Sequence, residues 1–147
     1  MSITIRAATK DDLDAIYGLV VELAIYEKEP DAVTATIEDY HRDFADGVFQ
    51  CHVAEDDGEV IGMTLYYLTY STWRGKMLYL EDFVVSESRR REGIGELLFE
   101  NVVKVAKDSN CRLLKWQVLD WNTPALNFYK KYQATIEKEW WNGKIIF

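Results

Sequence analysis

Hydrophobic and polar residues follow two different periods along this chain, and these periods predict strands and helices in a mixed order. Positions 3–7 alternate residue by residue, which is typical of a half-buried strand. Between positions 13 and 26 the apolar residues recur at every third or fourth position, which predicts a helix with one buried stripe. Thr9 lies just before this helix and is a suitable N-cap, since acidic residues follow it in the next turn.

The rest of the chain continues this mixture of helices and strands. The further predicted elements are a helix at 36–44, strands at 49–55, 59–70 and 76–85, a helix at 93–107, a strand at 113–119, a helix at 123–132 with Thr123 as its N-cap, and a final strand pair at 134–140 and 144–147. Asp57-Gly58 is a strong signal for a hairpin turn. Gly62 indicates a bulge or a close approach of another segment.

The order of these elements predicts an α+β fold with three layers, in which helices flank a mixed and mostly antiparallel central sheet. The helix at 93–107 lies between two strands and therefore predicts a crossover connection. A chain of 147 residues without repeats or linkers is expected to form a single domain, residues 1–147.

Composition narrows the class of function. The formal net charge of −8 argues against nonspecific binding of nucleic acid and suits a cationic substrate. Cys51 and Cys111 lie far apart, which predicts reduced thiols in a cytoplasmic protein, and two scattered histidines predict no metal site. The sequence contains no apolar run long enough for a membrane span, so no membrane association is expected.

The stretch Arg89–Gly95 separates the strand that ends at Val85 from the next helix. A basic, glycine-containing loop at a helix start is typical of an anion site, because the first N–H groups of the helix are unpaired and carry partial positive charge. Its spacing matches neither the P-loop nor the dinucleotide-binding pattern. A solvated surface loop before an ordinary helix is the alternative interpretation.

Several motifs, in this order, resemble the GNAT N-acetyltransferase superfamily. Arg90-x-x-Gly93-x-Gly95 is similar to its acetyl-CoA loop, and the segment 121–129 is similar to its later N-x-x-A-x-x-F-Y motif. Four other segments narrow the resemblance to the spermidine/spermine and thialysine N-acetyltransferases: 22–27, 65–70, 73–76 and 78–85. Together these motifs extend over nearly the whole chain.

The resemblance implies acetyl-CoA as the co-substrate and a homodimer as the assembly. The residues it implies for acetyl-CoA binding are Phe83, Val84, Val85, Arg90, Arg91, Glu92, Gly93, Ile94, Gly95, Glu96, Asn122 and Tyr129. Among them, the backbone of 83–85 pairs with the pantetheine arm like an added strand. The side chain of Glu92 is expected to point away from the phosphates. Tyr26, Glu27 and Glu81 are implied contacts of the amine substrate.

Two residues are implied to transfer protons. A primary amine has a pKa of about 10.4 and arrives protonated, so a carboxylate that receives its proton is required, and Glu81 occupies that position. Tyr129 is implied as the proton donor to the departing thiolate, and packing beside Phe128 is the alternative. Adjacent strand residues point to opposite faces, so one of Glu81 and Asp82 is expected to line the cleft. For Asp82 two interpretations remain: it is the residue that lines the cleft, or it is a structural hydrogen-bond partner.

These observations predict an acetyl-CoA-dependent N-acetyltransferase that acts on a small cationic primary amine, either a polyamine or a thialysine-like amino acid. One alternative is transfer to the amine of a protein, a peptide or an antibiotic. Another is a non-catalytic acyl-CoA-binding module. Gln133 and Trp141 depart from the family pattern and leave a polyamine preference open.

Overall fold

The computed structural model describes residues 2–147, which form two compact units, one up to Gln117 and one from Val118 onward. The first unit contains the sheet and three helices, in the order β1 (Ile3–Ala7), α1 (Leu13–Tyr26), α2 (Ile37–Ala45), β2 (Gln50–Asp56), β3 (Glu59–Ser71), β4 (Gly75–Val85), α3 (Ile94–Asp108) and β5 (Leu113–Trp116). The second unit contains α4 (Thr123–Lys130). The predicted α+β class is therefore confirmed.

The five strands lie in the sheet in their chain order, β1-β2-β3-β4-β5. The first four are antiparallel to their neighbours, and β5 is parallel to β4. Antiparallel neighbours need only short turns, whereas the parallel pair needs a crossover, which α3 supplies. The predicted crossover is confirmed, although β5 ends three residues earlier than the strand predicted at 113–119.

Helices cover both faces of the sheet. On one face α1 packs against the sheet, with the buried residues Leu13, Ile16, Leu19, Val20, Cys51, Val53, Met63, Leu65 and Val84 and partly buried side chains from α2. On the opposite face α3 packs against the sheet, with the buried residues Ala54, Ile61, Ile94 and Leu98. The buried stripe predicted for the first helix is thus the face that α1 turns toward the sheet.

Two local signals in the sequence are confirmed by the backbone of β2 and β3. Asp57 and Gly58 both have positive φ, 50° and 83°, as a two-residue hairpin turn requires. The pairing register shifts beside Gly62, which marks a bulge. A Cβ at Gly62 would lie 3.0 Å from Leu98 Cδ1 and 3.1 Å from the carbonyl oxygen of Val84, so glycine also permits a close approach of α3.

Two predictions for the last part of the chain are wrong. Asn122, not Thr123, is the N-cap of α4, since its Oδ1 accepts a hydrogen bond of 3.3 Å from the N–H of Ala125. The strand pair predicted at 134–140 and 144–147 does not form in the described chain. Neither Asn142 nor Gly143 has the positive φ of a tight hairpin turn. Such a pair is marginally stable when it lacks further strands, and the large apolar side chains of this segment are exposed.

No helix within residues 2–147 is both long enough and apolar enough to cross a membrane.

Candidate active site

The candidate site of the first unit is built on β4, where an extra residue interrupts the strand pairing. Leu65 of β3 lies opposite Asp82, but the next residue, Tyr66, lies opposite Leu80. Glu81 is therefore the additional residue of a β-bulge. A bulge resets the alternation of side chains along the strand that contains it.

The bulge places Glu81 and Asp82 on the same face of the sheet, which corrects the expectation that they point to opposite faces. Asp82 lies opposite Leu65, whose side chain belongs to the core under α1. Glu81 accepts a hydrogen bond of 2.9 Å from the hydroxyl of Tyr67, which is two residues beyond Leu65 and so shares its face. Both carboxylates therefore face the α1 side. Strand direction gives no reason to choose one of them over the other as the residue that lines a cleft there.

Asp82 is the more buried of the two carboxylates, and its protonation is perturbed. Burial, then the nearby charges of Glu81 and Glu27, raise the pKa of Asp82 to about 6. Burial and the charge of Asp82 in turn raise the pKa of Tyr40 to about 12. Burial also raises the pKa of Glu27. Glu81 and Glu27 thus both lie close enough to Asp82 to repel its charged form, and a bound cation would relieve that repulsion.

Replacing Asp82 by Asn is expected to stabilise the folded protein at neutral pH. The folded-state pKa of about 6 exceeds the ordinary value of 3.8, so the charged form costs free energy in the folded state. That cost is absent below the ordinary pKa and is complete above the folded-state pKa. We expect the Asn variant to gain about 3 kcal/mol in the free energy of unfolding near neutral pH, measured by urea denaturation.

The same measurement at about pH 4 is the internal control, since most of the gain should be lost where Asp82 of the wild-type protein is protonated. Asp31→Asn, a substitution at an exposed carboxylate, should leave the free energy of unfolding nearly unchanged at both pH values. A variant that is less stable than the wild type near neutral pH would show that Asp82 has a structural partner that Asn does not replace.

The end of α1 places the two predicted amine contacts beside β4 and the basic loop. Glu27 directly follows the helix, and its charge is one cause of the raised pKa of Asp82. The ring of Tyr26 lies under the guanidinium of Arg90, with Cζ 5.0 Å from the ring centroid. Glu22, one turn earlier on α1, accepts a hydrogen bond of 2.7 Å from the N–H of Glu87. Two contacts therefore join α1 to the loop that precedes α3.

The backbone of this loop has the shape of an anion site. Arg91 has a φ of 67° and Gly93 a φ of 80°, and α3 begins at Ile94 directly after them. Positive φ costs a residue with a side chain roughly 1 kcal/mol, so the loop holds Arg91 in a strained conformation. Left-handed residues before a helix start turn successive N–H groups toward one point, which is a common arrangement for binding phosphate.

Arg89 fixes the loop to the end of β2. Its Nη2 atom lies 2.7 Å from Asp56 Oδ2 and 3.2 Å from Glu92 Oε1. The carboxylate of Glu92 is thereby paired with a cation, which accounts for an acidic residue in a loop suited to an anion. Arg90 donates from Nε to the carbonyl oxygen of Val85 at 3.2 Å, and the side chain of Arg91 is exposed.

The edge of β4 is open beside the residues expected to pair with the pantetheine arm. β5 pairs with β4 only as far as the Leu80–Trp116 pair, and β5 ends there. Within the described first unit, the pairing between β4 and β5 therefore stops before residues 81–85. The family resemblance predicts that the backbone of Phe83–Val85 pairs with the pantetheine arm like an added strand, and that pairing stays a prediction.

Asn122 and Tyr129 belong to the second unit. Asn122 caps α4 through its side-chain oxygen. Tyr129 lies on the last full turn of α4, where its buried ring packs edge-on against Phe128, with centroids 5.6 Å apart. Pro124 lies in the first turn of the helix, where its missing N–H does no harm.

The comparison with protein families identifies the family to which the chain belongs. The model of the Acetyltransferase (GNAT) family matches residues 13–134, most of the chain and parts of both units. The chain belongs to the GNAT acetyltransferase family. It is therefore an acyltransferase, and the resemblance seen in its motifs is confirmed.

Individual relatives of this GNAT acetyltransferase place it within the family. It is 40% identical over 152 residues to the thialysine N-epsilon-acetyltransferase of Bos taurus, covering 95% of this chain and 89% of that protein. It is 35% identical over 134 residues to the spermidine/spermine N(1)-acetyltransferase-like protein 1 of Homo sapiens, covering 85% of this chain and 19% of that protein.

Solved structures support the fold of this GNAT acetyltransferase at low sequence identity. The crystal structure of an aminoglycoside acetyltransferase from an uncultured soil metagenomic sample superposes with a TM-score of 0.81 at 17% identity. The match covers 99% of this chain and 96% of that one. At this identity the likeness concerns the fold alone.

Residue patterns did not reveal every group that this GNAT acetyltransferase places beside Glu81. Tyr67 reads as one of many β-forming residues in its strand, and Tyr40 reads as part of an amphipathic helix. The bulge at Glu81 could not be predicted, because no glycine or turn residue marks position 81 in the sequence. Within residues 2–147, no group of three or more His, Cys, Asp or Glu is arranged to hold a metal ion.

Proposed function

We propose that this acetyltransferase moves the acetyl group of acetyl-CoA to a primary amine of a small cation, either a polyamine or a thialysine-like amino acid. The observation that carries this proposal is the group formed by Glu81 and Asp82 on one face of β4 and Glu27 at the end of α1, bordered by the rings of Tyr40 and Tyr67. Carboxylates beside aromatic rings suit an aliphatic ammonium ion. The names of the thialysine and spermidine/spermine relatives support the same class of acceptor.

The residues fit acetyl-CoA as the donor. We assign the N–H groups of 91–96 to its pyrophosphate, with Arg90 and Arg91 adding positive charge, and the open edge at Phe83–Val85 to its pantetheine arm. The resemblance of their motif also assigns Asn122 and Tyr129 to acetyl-CoA binding. When bound, acetyl-CoA supplies a thioester carbonyl that an amine can attack.

Proton transfer is assigned to two side chains of this chain. Glu81 receives the proton of the substrate ammonium, through a water molecule, and so produces the neutral amine that attacks. The new C–N bond forms as the C–S bond breaks, and Tyr129 donates its phenolic proton to the departing sulfur. The nitrogen then releases its second proton to solvent, and the phenolate of Tyr129 takes a proton back from solvent, which leaves the amide and the free thiol as products. Asp82 and Glu27 hold the cation while this occurs. Tyr26 is assigned to the aliphatic part of the substrate.

Further parts of the proposal concern the whole protein. We assign residues 1–147 to a single domain, a choice supported by a family match that includes parts of both units. We further propose a homodimer, which the family resemblance supports, and a cytoplasmic location, which the free Cys51 and Cys111 support. Exposed aromatic side chains at Trp73, Trp140 and Trp141 are suitable for a subunit interface.

The acceptor can be identified by measuring thiol release from acetyl-CoA with putrescine, spermidine, spermine, thialysine, lysine and an amino-terminal peptide. We expect the highest kcat/KM with thialysine or a polyamine, because each is a small cation with a primary amine. A preference for the peptide would favour the alternative acceptor class. Tight acetyl-CoA binding without thiol release on any amine would favour a non-catalytic module.

A further inference from the structure

The hydroxyl of Tyr67 makes a contact that the proposed reaction does not yet use. It donates a hydrogen bond to Glu81 Oε1 at 2.9 Å. Glu81 is exposed and lies at a bulge, so its side chain has few other restraints. A carboxylate with three rotatable bonds would otherwise sample several rotamers, and a charge-assisted hydrogen bond selects one of them.

Tyr67 is itself held in place. It lies opposite Tyr79 in the β3–β4 pairing, and the two rings stack with centroids 5.5 Å apart and planes 24° apart. Burial first, then the hydrogen bond to Glu81, raise the pKa of Tyr67, so the phenol is protonated at neutral pH and remains a donor. A donor on a paired strand with a stacked ring is a rigid point from which to orient a neighbour.

We infer that Tyr67 is a positioning residue for acetyl transfer, which orients Glu81 by holding Oε1 and leaves Oε2 to receive the proton of the amine. The inference rests on the proposed role of Glu81 as the base. It also explains how two adjacent carboxylates on one face take different roles. Glu81 is exposed and accepts a hydrogen bond from Tyr67, whereas Asp82 is less exposed and its pKa is raised to about 6.

The groups around Glu81 determine which pH effects can be assigned to Tyr67. Asp82 is adjacent on β4, Tyr79 lies on the same strand, Tyr40 approaches from α2, and Glu27 acts from the end of α1 through Asp82. None of these is altered by removing one hydroxyl from Tyr67. The acidic limb of the activity profile belongs to the Glu81–Asp82 pair as a whole, so its displacement is the quantity to compare.

Tyr67→Phe keeps the ring and its stack and removes only the donor. With acetyl-CoA and thialysine as substrates, we expect kcat to fall roughly tenfold to a hundredfold, the range for losing a hydrogen bond to a charged group. The acidic limb should also be displaced, because Glu81 loses the donor that orients its Oε1. The KM for acetyl-CoA and the melting temperature should stay close to those of the wild type.

Tyr70→Phe is the matched control, since this phenol lies on the same strand and is largely exposed. It should leave kcat and the pH profile unchanged. In a Glu81→Gln background, Tyr67→Phe should cause no further loss, as expected for a residue that acts through Glu81.

The outcomes separate this inference from the proposed function. If Glu81→Gln impairs turnover but Tyr67→Phe leaves kcat and the acidic limb unchanged, Tyr67 is not a positioning residue and the base assignment stands. If Tyr67→Phe costs as much in the Glu81→Gln background as alone, it acts by another route and the inference is wrong. If Glu81→Gln has no effect, both the base assignment and this inference are overturned.

Discussion

Tyr129→Phe is expected to lower kcat roughly a hundredfold to a thousandfold, within the range attributed to general acid catalysis. The substitution removes one oxygen atom and leaves the ring that packs against Phe128 in α4. A phenol has a pKa of about 10, so it is neutral at physiological pH and can give its proton to a developing thiolate, whereas Phe has none to give. Without that proton, the thiolate is a poorer leaving group and the C–S bond breaks more slowly.

Two measurements distinguish a catalytic role of Tyr129 from a packing role. Turnover is followed by thiol release, and acetyl-CoA affinity is followed by calorimetry, which should change little because the ring remains. Tyr132→Phe, one turn later in the chain, is the matched control and should keep wild-type turnover. Wild-type turnover in Tyr129→Phe would remove this residue as the acid.

Glu81→Gln is expected to lower kcat/KM for the amine by roughly a hundredfold near neutral pH. The amide has nearly the same shape and can still accept from Tyr67, but it cannot receive a proton from the substrate. The reaction then depends on the small fraction of amine that is already neutral, given an amine pKa of about 10.4. Activity should therefore continue to rise with pH in the variant, and its profile should move to higher pH.

The measurement is the pH dependence of kcat/KM for thialysine, compared between wild type and variant. Asp82→Asn serves as the comparison, because it changes a carboxylate on the same face without removing the proposed base. A Glu81→Gln profile that superposes on that of the wild type would count against proton removal by Glu81. A change confined to KM, with kcat preserved, would indicate that Glu81 only binds the cation.

Asp82 shows why activity and stability are expected to oppose each other at this site. Its raised pKa means that the charged form lies in an unfavourable environment, beside Glu81 and Glu27. A site that must attract an ammonium ion concentrates negative charge before the ion arrives, and the folded protein carries that cost. The stabilisation expected for Asp82→Asn and the losses expected for Glu81→Gln are two results of this one arrangement.

Local signals in the sequence predicted most of the fold because they act over a few residues. Asp57-Gly58 forms the turn that its residue types favour. Thr9 caps a short 3-10 helix, Lys10–Asp12, which leads into α1, and Asp12 is its reciprocal acidic partner. The prediction of a final strand pair was wrong because strand pairing depends on residues that are distant in the sequence. Its residues have strand-forming composition, but a strand needs a partner, and composition does not say whether one is present.

The open edge of β4 and the basic loop were predictable to different degrees. Gly93 and the start of α3 could be read from the sequence, since glycine before an apolar helical stripe marks a helix start. The pairing of Arg89 with Asp56 could not, because 33 positions separate them and only the folded sheet brings them together. The short length of β5, which leaves 81–85 open on one side, likewise depends on where the paired strands diverge.

The sequence by itself determined the family, the order of the elements and the residue types available for chemistry, because motifs and periodicities are properties of neighbouring positions. The tertiary structure decided which side chains meet. A single extra residue in β4 turns Glu81 and Asp82 to one face, brings Glu81 to Tyr67, and groups Asp82 with Glu27. Strand register arises from pairing between distant segments, so the chemistry of the acceptor site depends on a feature that no local pattern in the chain encodes.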